Sequence, residues 1–371
     1  MMGKSEKMKI TILGGGNGAI ASAAHMTFLG HEVTISNRSP KRLDFLRDNR
    51  EIHIVGGALP DTTVCIKSVI DDPVVAIEGA DVIEVCVPTI AHEYYAKAIA
   101  KKLSEKQILF LNPGHMGGGL QFSNYLRKYG YDGKLNIVET NTLTYITRMQ
   151  SERTVGIFSV ANHNLISSLP RMNPSINVIK KLYPSLETVS TVLHTSLADA
   201  NAVLHPPGML LNAAHIERTN GGFMFYYEGT TPAVGTLMED LDAERIAIGD
   251  KLGIPLKPVL DCMYEWGYTT KEAKESGSCY QMLIQSEPNK TLKCEPNLQG
   301  RYINEDVGFG LVPMSLLAKA IGVDTPIMDA IINICGCFNK KNYWHEGLTL
   351  EKMGLENAQS VNEIWENINS R

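Results

Sequence analysis

The stretch Leu13-Gly14-Gly15-Gly16-Asn17-Gly18-Ala19 decides the fold, and it directly follows the β-prone run Lys9–Leu13. Within it, Gly14, Gly16 and Ala19 have the spacing G-x-G-x-x-G/A. In this pattern the first glycine permits a tight turn and the second lets a diphosphate approach the backbone. The small third residue lets the following helix pack closely on the strand. Free N–H groups at the start of that helix favour an anion. We therefore predict dinucleotide contacts from Gly14, Gly16, Asn17, Gly18 and Ala19.

Strands and helices alternate outward from this turn, which is typical of parallel βαβ units. The run Val82–Val87 is almost continuously apolar, as expected of a central strand covered on both faces. Shorter strands at 142–160 predict a sheet edge or a meander. The other predicted strands and helices of this half are Ala19–Leu29, Val33–Ile35, Pro40–Asn49, Ala91–Lys102, Gln107–Leu111 and Asn136–Glu139.

The character of the sequence changes after about residue 185, and from Ser196 onward apolar residues recur at helical spacing. The clearest helical segments are Leu237–Leu252, Lys257–Tyr268, Pro313–Ala320 and Ile327–Asn339. We therefore predict an α/β protein with two domains. Residues 1–185 form a Rossmann-type, doubly wound dinucleotide-binding domain, and residues 186–371 form a C-terminal all-α substrate and catalytic domain.

The end of the second strand is where such folds contact the ribose of the cofactor, about 20 residues after the glycines. An NAD enzyme usually carries Asp or Glu there, whereas this chain has Asn37-Arg38-Ser39. Arg38 would pair with a 2′-phosphate, and Asn37 and Ser39 would donate to it. A solvated loop charge is the alternative for Arg38. We expect NADP(H) to be preferred over NAD(H), with further cofactor contacts from loops that contain Pro88, Pro113 and Gly114.

Composition narrows the function classes. The 371 residues include 35 Lys and Arg against 40 Asp and Glu, a net charge of −5, so no basic surface for nucleic acid is expected. There is no apolar run of the length a bilayer requires, and the polar start Met1–Lys9 shows no signal peptide. Seven scattered cysteines without a C-x-x-C pair favour a reducing cytoplasm and no metal site.

The helical half contains two stretches with candidate catalytic and substrate-binding residues. In Asn201-Ala202-Val203-Leu204-His205-Pro206-Pro207-Gly208, Pro206 predicts a break at His205 and a new helix beginning beside it. His205 there suits proton transfer, with Asn201 one turn earlier on the same face. A buried histidine with a satisfied partner is the alternative. In the second stretch, Arg301 would clamp a carboxylate and Asp306 would orient the imidazole, unless the two form a salt bridge that caps a helix.

These residues give the chain a resemblance to the opine dehydrogenases, the octopine/nopaline dehydrogenase family, over nearly its whole length. The most specific matches are Asn201 with His205-Pro206-Pro207-Gly208, the stretch Tyr227–Val234, and Arg301-Tyr302-x-x-Glu305-Asp306-Val307. The pair Glu139-Thr140, followed by Tyr145 and Arg148, is similar to a family segment that ends the nucleotide domain. The resemblance implies a catalytic His205–Asp306 pair, Arg301 on a substrate carboxylate, and further substrate contacts from Asn201, Glu139 and Thr140.

The resemblance also implies the reaction, an NAD(P)H-dependent reductive condensation of an amino acid with a pyruvate-like 2-oxo acid. His205 would serve as general acid and base, and a homodimer is left open. One rival is a keto acid reductase of the ketopantoate reductase plan, which depends on a lysine of the helical domain. This chain has no lysine between Lys181 and Lys251, which argues against that rival. A second rival is a sensor that binds NADP(H) without turnover.

Overall fold

The run Lys9–Leu13 forms the strand β1 at the centre of the first unit, in a computed structural model that describes residues 6–371. Residues 1–5, the start of the polar N-terminal stretch, lie outside the described residues. The strands that follow are β2 (Glu32–Ser36), β3 (Glu51–Val55), β4 (Thr62–Cys65), β5 (Ser68–Val69), β6 (Val82–Val85), β7 (Ile108–Leu111), β8 (Ile137–Thr140), β9 (Tyr145–Met149), β10 (Thr154–Val160), β11 (Leu165–Leu169) and β12 (Glu187–Thr188).

Among the described residues, eight strands form the main sheet in the order β12-β11-β8-β7-β6-β1-β2-β5. Its pairs are parallel except for β11, which runs antiparallel to β8. The chain winds from β1 to β2 on one side and returns to β6 on the other. The topological switch point therefore lies between β1 and β6, where open α/β sheets bind their ligands. This confirms the predicted Rossmann-type sheet.

Helices of the first unit cover this sheet, and α1 (Asn17–Phe28) packs through small residues. Ala19, Ala21, Ala23 and Ala24 are all fully buried, so the helix lies close on the strands. The other helices of this part are α2 (Pro73–Ala76), α3 (His92–Ile99), α4 (Gly118–Lys128), α5 (Ser175–Leu182) and α6 (Val192–Leu197), with 3-10 turns at Pro40–Leu46 and Thr89–Ala91.

One predicted element of the first half is wrong, and two strands of a separate sheet were not predicted. The segment Pro40–Leu46 is a 3-10 helix, in which Leu43 and Leu46 are buried at the i, i+3 spacing that this tighter helix brings onto one side. The short strands predicted at 142–160 are confirmed as β9 and β10, a consecutive antiparallel pair with β9 at the edge of a separate sheet in the order β4-β3-β10-β9. The prediction missed β3 and β4, although in β3 the buried Ile52 and Ile54 alternate with exposed Glu51 and His53.

The second unit consists of helices joined by turns and loops, and its described residues form no strand apart from an isolated bridge between Met224 and Lys293. Its helices are α7 (Asn201–Leu211), α8 (Ala213–Thr219), α9 (Pro232–Leu252), α10 (Val259–Glu265), α11 (Lys271–Glu275), α12 (Cys279–Ile284), α13 (Arg301–Asn304), α14 (Val312–Ala320), α15 (Pro326–Asn339), α16 (Tyr343–Glu346) and α17 (Val361–Asn369), with a 3-10 turn at Glu287–Asn289 and a π-helical turn at Val307–Leu311. This confirms the predicted C-terminal all-α domain.

The chain divides into two compact units between Thr195 and Ser196, and the last four residues, 368–371, belong with the first unit. The sequence analysis placed the boundary between the two functional domains at residues 185/186, and this boundary stays a prediction. Among the described residues, no helix is both long enough and apolar enough to cross a membrane.

The predicted break at His205 is wrong. The helix α7 runs from Asn201 to Leu211 with Pro206 and Pro207 inside it. Each proline removes one backbone donor from the helix, a change that usually kinks it. Here Val203 and Met209 are fully buried on either side of the prolines. The apolar packing of both halves of α7 therefore outweighs the two missing hydrogen bonds.

Candidate active site

The glycine-rich turn after β1 is fixed by contacts that require glycine. The N–H of Gly14 donates to the carbonyl of Ser36 at 2.8 Å, and Gly14 has a φ of +150°, which L side chains rarely adopt. A Cβ at Gly14 would overlap the carbonyl oxygen of Cys86, and a Cβ at Gly18 would lie 2.8 Å from the Leu143 side chain. The turn is therefore closed against its neighbouring strand and cannot accept larger residues at these two positions.

The opposite side of the turn is open. Gly16 is the N-cap of α1, it makes no side-chain capping bond, and a Cβ built on it would meet nothing within 4 Å. The first turn of α1 contains no acidic residue. An exposed helix N-terminus with free space beside a glycine suits a diphosphate. The residues present thus fit the dinucleotide that the sequence predicts, with Asn17 at the first position of α1 and Ala19 buried behind it.

A buried tyrosine organises the end of β2. The Tyr95 hydroxyl accepts from the N–H of Arg38 at 3.0 Å and donates to Oδ1 of Asn37 at 3.4 Å. Asn37 also donates to the carbonyl of Ser39 at 3.0 Å. Asn37 and Tyr95 are buried, whereas Arg38 and Ser39 are exposed. The buried side chains of Asn37 and Tyr95 thus fix the loop. The loop exposes the charge of Arg38 and the hydroxyl of Ser39 to solvent at the carboxyl edge of the sheet.

The other predicted cofactor residues follow neighbouring strands of the same sheet. Pro88 is exposed after β6, and Pro113 and Gly114 are buried after β7. The N–H of Gly114 donates to the carbonyl of Thr140 at 2.9 Å. The fold therefore brings all of the predicted cofactor residues to the carboxyl ends of β1, β2, β6 and β7.

Glu139 and Thr140 are completely buried at the end of β8. The Glu139 carboxylate accepts from the N–H of Gly119 at 2.7 Å and from the Thr195 hydroxyl at 2.5 Å, and burial raises its pKa to about 7. Within the described part of the chain, the Thr140 hydroxyl has no hydrogen-bond partner. In this structure Glu139 supports the glycine-rich loop Gly117–Gly119, while substrate contact by either residue stays a prediction.

In the helical unit, His205 has a protein partner on each ring nitrogen. Nδ1 lies 2.7 Å from Oδ2 of Asp306, and Nε2 lies 2.8 Å from the hydroxyl of Tyr226. The Tyr302 ring stacks on the imidazole with its centroid 3.8 Å away and the two planes 8° apart. His205 and Asp306 are each 8% exposed. The structure thus brings together the predicted His–Asp pair from positions 101 residues apart.

Two glycines allow this approach. A Cβ on Gly310 would lie 2.7 Å from Cβ of Ala202, so the absence of a side chain lets the π-helical turn 307–311 pack directly on α7. This places Asp306, just before the turn, beside His205. A Cβ on Gly208 would lie 2.7 Å from the Phe225 ring, so that ring rests on α7 and brings Tyr226 to the imidazole.

Burial governs the protonation of the partners of His205. Burial raises the pKa of Tyr226 well above its ordinary value, and the nearby Tyr302 and Asp306 act in the same direction. Burial also raises the pKa of Asp306, while its interaction with His205 opposes that change. The Tyr226 phenol therefore stays protonated near neutral pH. A buried carboxylate held by an imidazole N–H at 2.7 Å is a charge-assisted hydrogen bond.

Arg301 lies at the start of α13, close to this pair in sequence. Its side chain is 69% exposed, and its Nε donates to Oε2 of Glu305 at 2.8 Å. Glu295 accepts from the backbone N–H groups of Arg301 and Tyr302 at 3.1 and 3.2 Å, which satisfies donors at the helix N-terminus. Arg301 therefore forms its ion pair with Glu305. The alternative prediction, a salt bridge between Arg301 and Asp306 that caps a helix, is wrong.

Asn201 is half-buried at the first position of α7, and its backbone N–H donates to Oδ1 of Asp199 at 3.1 Å. The sequence analysis assigned no catalytic role to Tyr302 or to Tyr226. Tyr302 directly follows Arg301 in a stretch that the sequence analysis singled out for candidate site residues, and this neighbourhood is the signal that could have found it. The hydrogen bond of Tyr226 depends on how Phe225 packs, which sequence spacing does not show.

No group of three or more His, Cys, Asp or Glu residues suited to a metal occurs within residues 6–371.

A dinucleotide turn in an α/β unit and a buried His–Asp pair in a helical unit define a two-domain NAD(P)-dependent dehydrogenase. Two family models match the chain in the same arrangement. Residues 9–110 match the family described as NADP oxidoreductase, coenzyme F420-dependent. Residues 188–339 match the alpha-helical domain of NAD/NADP octopine/nopaline dehydrogenase. The chain is also 34% identical to an opine dehydrogenase of Arthrobacter sp. strain 1C over 94% of its length and 96% of that relative.

The chain therefore belongs to the octopine/nopaline dehydrogenase family and is an NAD(P)-dependent oxidoreductase of the opine dehydrogenase type. Solved structures agree in fold. Octopine dehydrogenase with NADH and L-arginine has a TM-score of 0.78 at 18% identity, covering 98% of both chains. Yersinopine dehydrogenase with NADP+ bound has 0.75 at 15% identity, covering 98% of this chain and 99% of that one. A ketopantoate reductase from Ralstonia eutropha is more distant, with 0.59 at 16% identity over 90% of this chain and 99% of that one.

Proposed function

We propose that this chain joins an amino acid to a pyruvate-like 2-oxo acid, with His205 as the general acid and base. The observation that carries the proposal is the buried His205–Asp306 pair at 2.7 Å, with the Tyr226 hydroxyl 2.8 Å from the second ring nitrogen of the imidazole. A carboxylate on Nδ1 fixes the imidazole tautomer that leaves a lone pair on Nε2. An imidazole held in this way can take a proton at Nε2 and give it back, which are the two roles of a general base and a general acid.

The proton transfers follow from the substrates. An α-amino acid is an ammonium ion near neutral pH, so its nitrogen must lose a proton to attack a carbonyl carbon. His205 takes that proton, and the amine adds to the 2-oxo acid to give a carbinolamine. The protonated His205 then returns the proton to the carbinolamine hydroxyl, which leaves as water and gives the iminium ion. Asp306 stabilises the imidazolium between these two steps.

A bound dinucleotide would supply the hydride for reduction of the C=N carbon of this iminium ion. The residues that would hold it are Gly14, Gly16 and the first turn of α1, together with the loop that Asn37 and Tyr95 support. The amine product then takes a proton from solvent, so one proton is consumed in each turnover. Arg301 is exposed beside Glu305, and its guanidinium would hold a substrate carboxylate.

NADP(H) is the preferred cofactor in this proposal. Its support is the exposed Arg38 in a loop without a carboxylate at the ribose position, where an NAD enzyme would place Asp or Glu. Arg38→Ala should lower kcat/KM for NADPH by about 10-fold to about 100-fold and leave the value for NADH within about threefold, since a bidentate phosphate contact is lost. Equal losses for NADPH and NADH would contradict the preference.

Cytoplasmic location is also part of the proposal. All seven cysteines lie within the described residues as thiols that form no disulfide, and burial raises the pKa of Cys279 and of Cys335 to about 12. Such thiols are inert apolar packing groups, as expected in a reducing compartment.

The experiment that tests the function is NADPH consumption with a panel of amino acids and 2-oxo acids, with the product mass determined. The proposal expects consumption only when both substrates are present, and a product equal in mass to their sum minus one oxygen atom. Consumption with the 2-oxo acid alone, unaffected by any amine, would instead indicate a simple keto acid reductase. Binding of NADPH without turnover on any pair would indicate a sensor.

A further inference from the structure

The Tyr226 hydroxyl occupies the nitrogen of His205 that the proposed chemistry uses. The carboxylate of Asp306 accepts from Nδ1, so Nδ1 carries the proton and Nε2 is the acceptor. A neutral imidazole has one lone pair on that nitrogen, in the plane of the ring. The Tyr226 hydroxyl, 2.8 Å from Nε2, donates to this lone pair. A substrate proton can therefore reach Nε2 through the hydroxyl or after displacing it.

Displacement is opposed by the packing around Tyr226. The N–H of the preceding residue, Phe225, donates to the carbonyl of Leu292 at 2.8 Å, and the Phe225 ring rests where Gly208 leaves room on α7. Tyr226 itself is 6% exposed. The Tyr302 ring covers one face of the imidazole, so the histidine cannot turn its Nε2 away without losing this stack. Both partners of the hydrogen bond are thus held in place from their own elements.

We propose that the Tyr226 hydroxyl is a catalytic proton relay between the substrate nitrogen and His205. The inference deepens the proposed function and rests on His205 as the general acid and base. In the first transfer the substrate ammonium gives a proton to the Tyr226 oxygen while the phenol proton moves to Nε2. In the return transfer Nε2–H gives its proton to the Tyr226 oxygen while the phenol proton moves to the carbinolamine hydroxyl.

The second transfer breaks the C–O bond, and its electron pair leaves with the oxygen as water. The phenol is neutral before and after each transfer, and no oxidant or reductant is involved. A concerted relay suits this residue because burial strongly disfavours a free tyrosinate at position 226. Tyr226 thus differs from Asp306, which orients the imidazole without exchanging a proton with the substrate.

The test compares Tyr226→Phe with Tyr343→Phe. Tyr343 is the matched control, because it is a buried tyrosine of the same unit whose hydroxyl bonds to Asn304 at 2.7 Å and to Asn339 at 2.8 Å. We expect Tyr226→Phe to lower kcat by about 100-fold or more, as the loss of a proton-transfer group does, and Tyr343→Phe to stay within about threefold of the wild type. Thermal melting and NADPH binding show whether each variant is folded.

A second measurement uses the wild-type enzyme and is independent of any variant. Turnover is followed in mixtures of light and heavy water, and a relay predicts a curved dependence from two protons that move together. A straight line, from a single proton in flight, would overturn the relay, as would a Tyr226→Phe kcat within about threefold of the wild type. If the Tyr226→Phe protein does not fold, the measurement on the wild-type enzyme alone decides whether the relay exists. If His205→Ala is fully active, the proposed function itself fails, whereas an inactive His205→Ala beside an active Tyr226→Phe rejects only the relay.

Discussion

Replacing Asp306 by asparagine tests how His205 is prepared for proton transfer. The carboxylate lies 2.7 Å from Nδ1, and both side chains are about one-tenth exposed. A hydrogen bond to a charged group contributes about 1.5–3 kcal/mol, which corresponds to a factor of about 10 to about 160 in rate. An asparagine can also present its NH2 to Nδ1 and move the histidine proton to Nε2. Because that tautomer cannot accept a proton at Nε2, we expect kcat to fall by at least about 10-fold.

The assay is NADPH consumption at saturating amino acid and 2-oxo acid, for the wild type and for Asp306→Asn. Asp242→Asn is the matched control, because Asp242 is a buried aspartate of the same unit that pairs with Arg245 at 2.7 Å and accepts from the N–H of Val259. Asp242→Asn should lower the melting temperature and leave kcat within about threefold. Wild-type kcat in Asp306→Asn, or equal losses of kcat in the two variants, would refute the reasoning.

Two further predictions concern the first unit. Gly14→Ala should destabilise the fold, because its Cβ would overlap the Cys86 carbonyl, whereas Gly16→Ala has free space and should keep the melting temperature while raising the Kd for NADPH by about 10-fold or more; equal melting temperatures for the two variants would contradict this. Burial raises the pKa of Glu84 to about 7 from 4.5, so the folded protein keeps this proton after the unfolded chain has released it. The free energy of unfolding should therefore fall by about 3 kcal/mol as the pH rises through that window, and Glu139 should add a similar fall. Glu84→Gln should roughly halve the loss of unfolding free energy between about pH 5 and about pH 8, which is measured from the urea midpoints at the two pH values. The same loss in Glu84→Gln and in the wild type would contradict this prediction.

Sequence reasoning was strongest where function restricts the local backbone. The turn Gly14–Ala19 must be tight, open to a diphosphate on one side and closely packed on the other, and each requirement selects a small residue at a fixed position. The strand and helix around it follow from the same stretch. The spacing could not show that Ile52 and Ile54 build a second sheet, because their partner strand β10 lies about a hundred residues further along the chain.

The candidate active-site residues were harder to predict, because they meet through tertiary packing. His205 and Asp306 are 101 residues apart, and the family resemblance, not their spacing, paired them. Local rules even predicted a helix break at His205, whereas packing keeps α7 continuous through two prolines. Tyr226 could not be assigned, since its contact with His205 depends on the fit of the Phe225 ring over Gly208.

The measurement that tests the central claim most directly is the turnover of His205→Ala with an amino acid and a 2-oxo acid that the wild type condenses. If His205 carries the proton transfers, kcat should fall by a factor of about 10² to about 10⁴. The Kd for NADPH should stay unchanged, because the dinucleotide turn belongs to the first unit. Near-normal turnover by a folded His205→Ala protein would contradict the account.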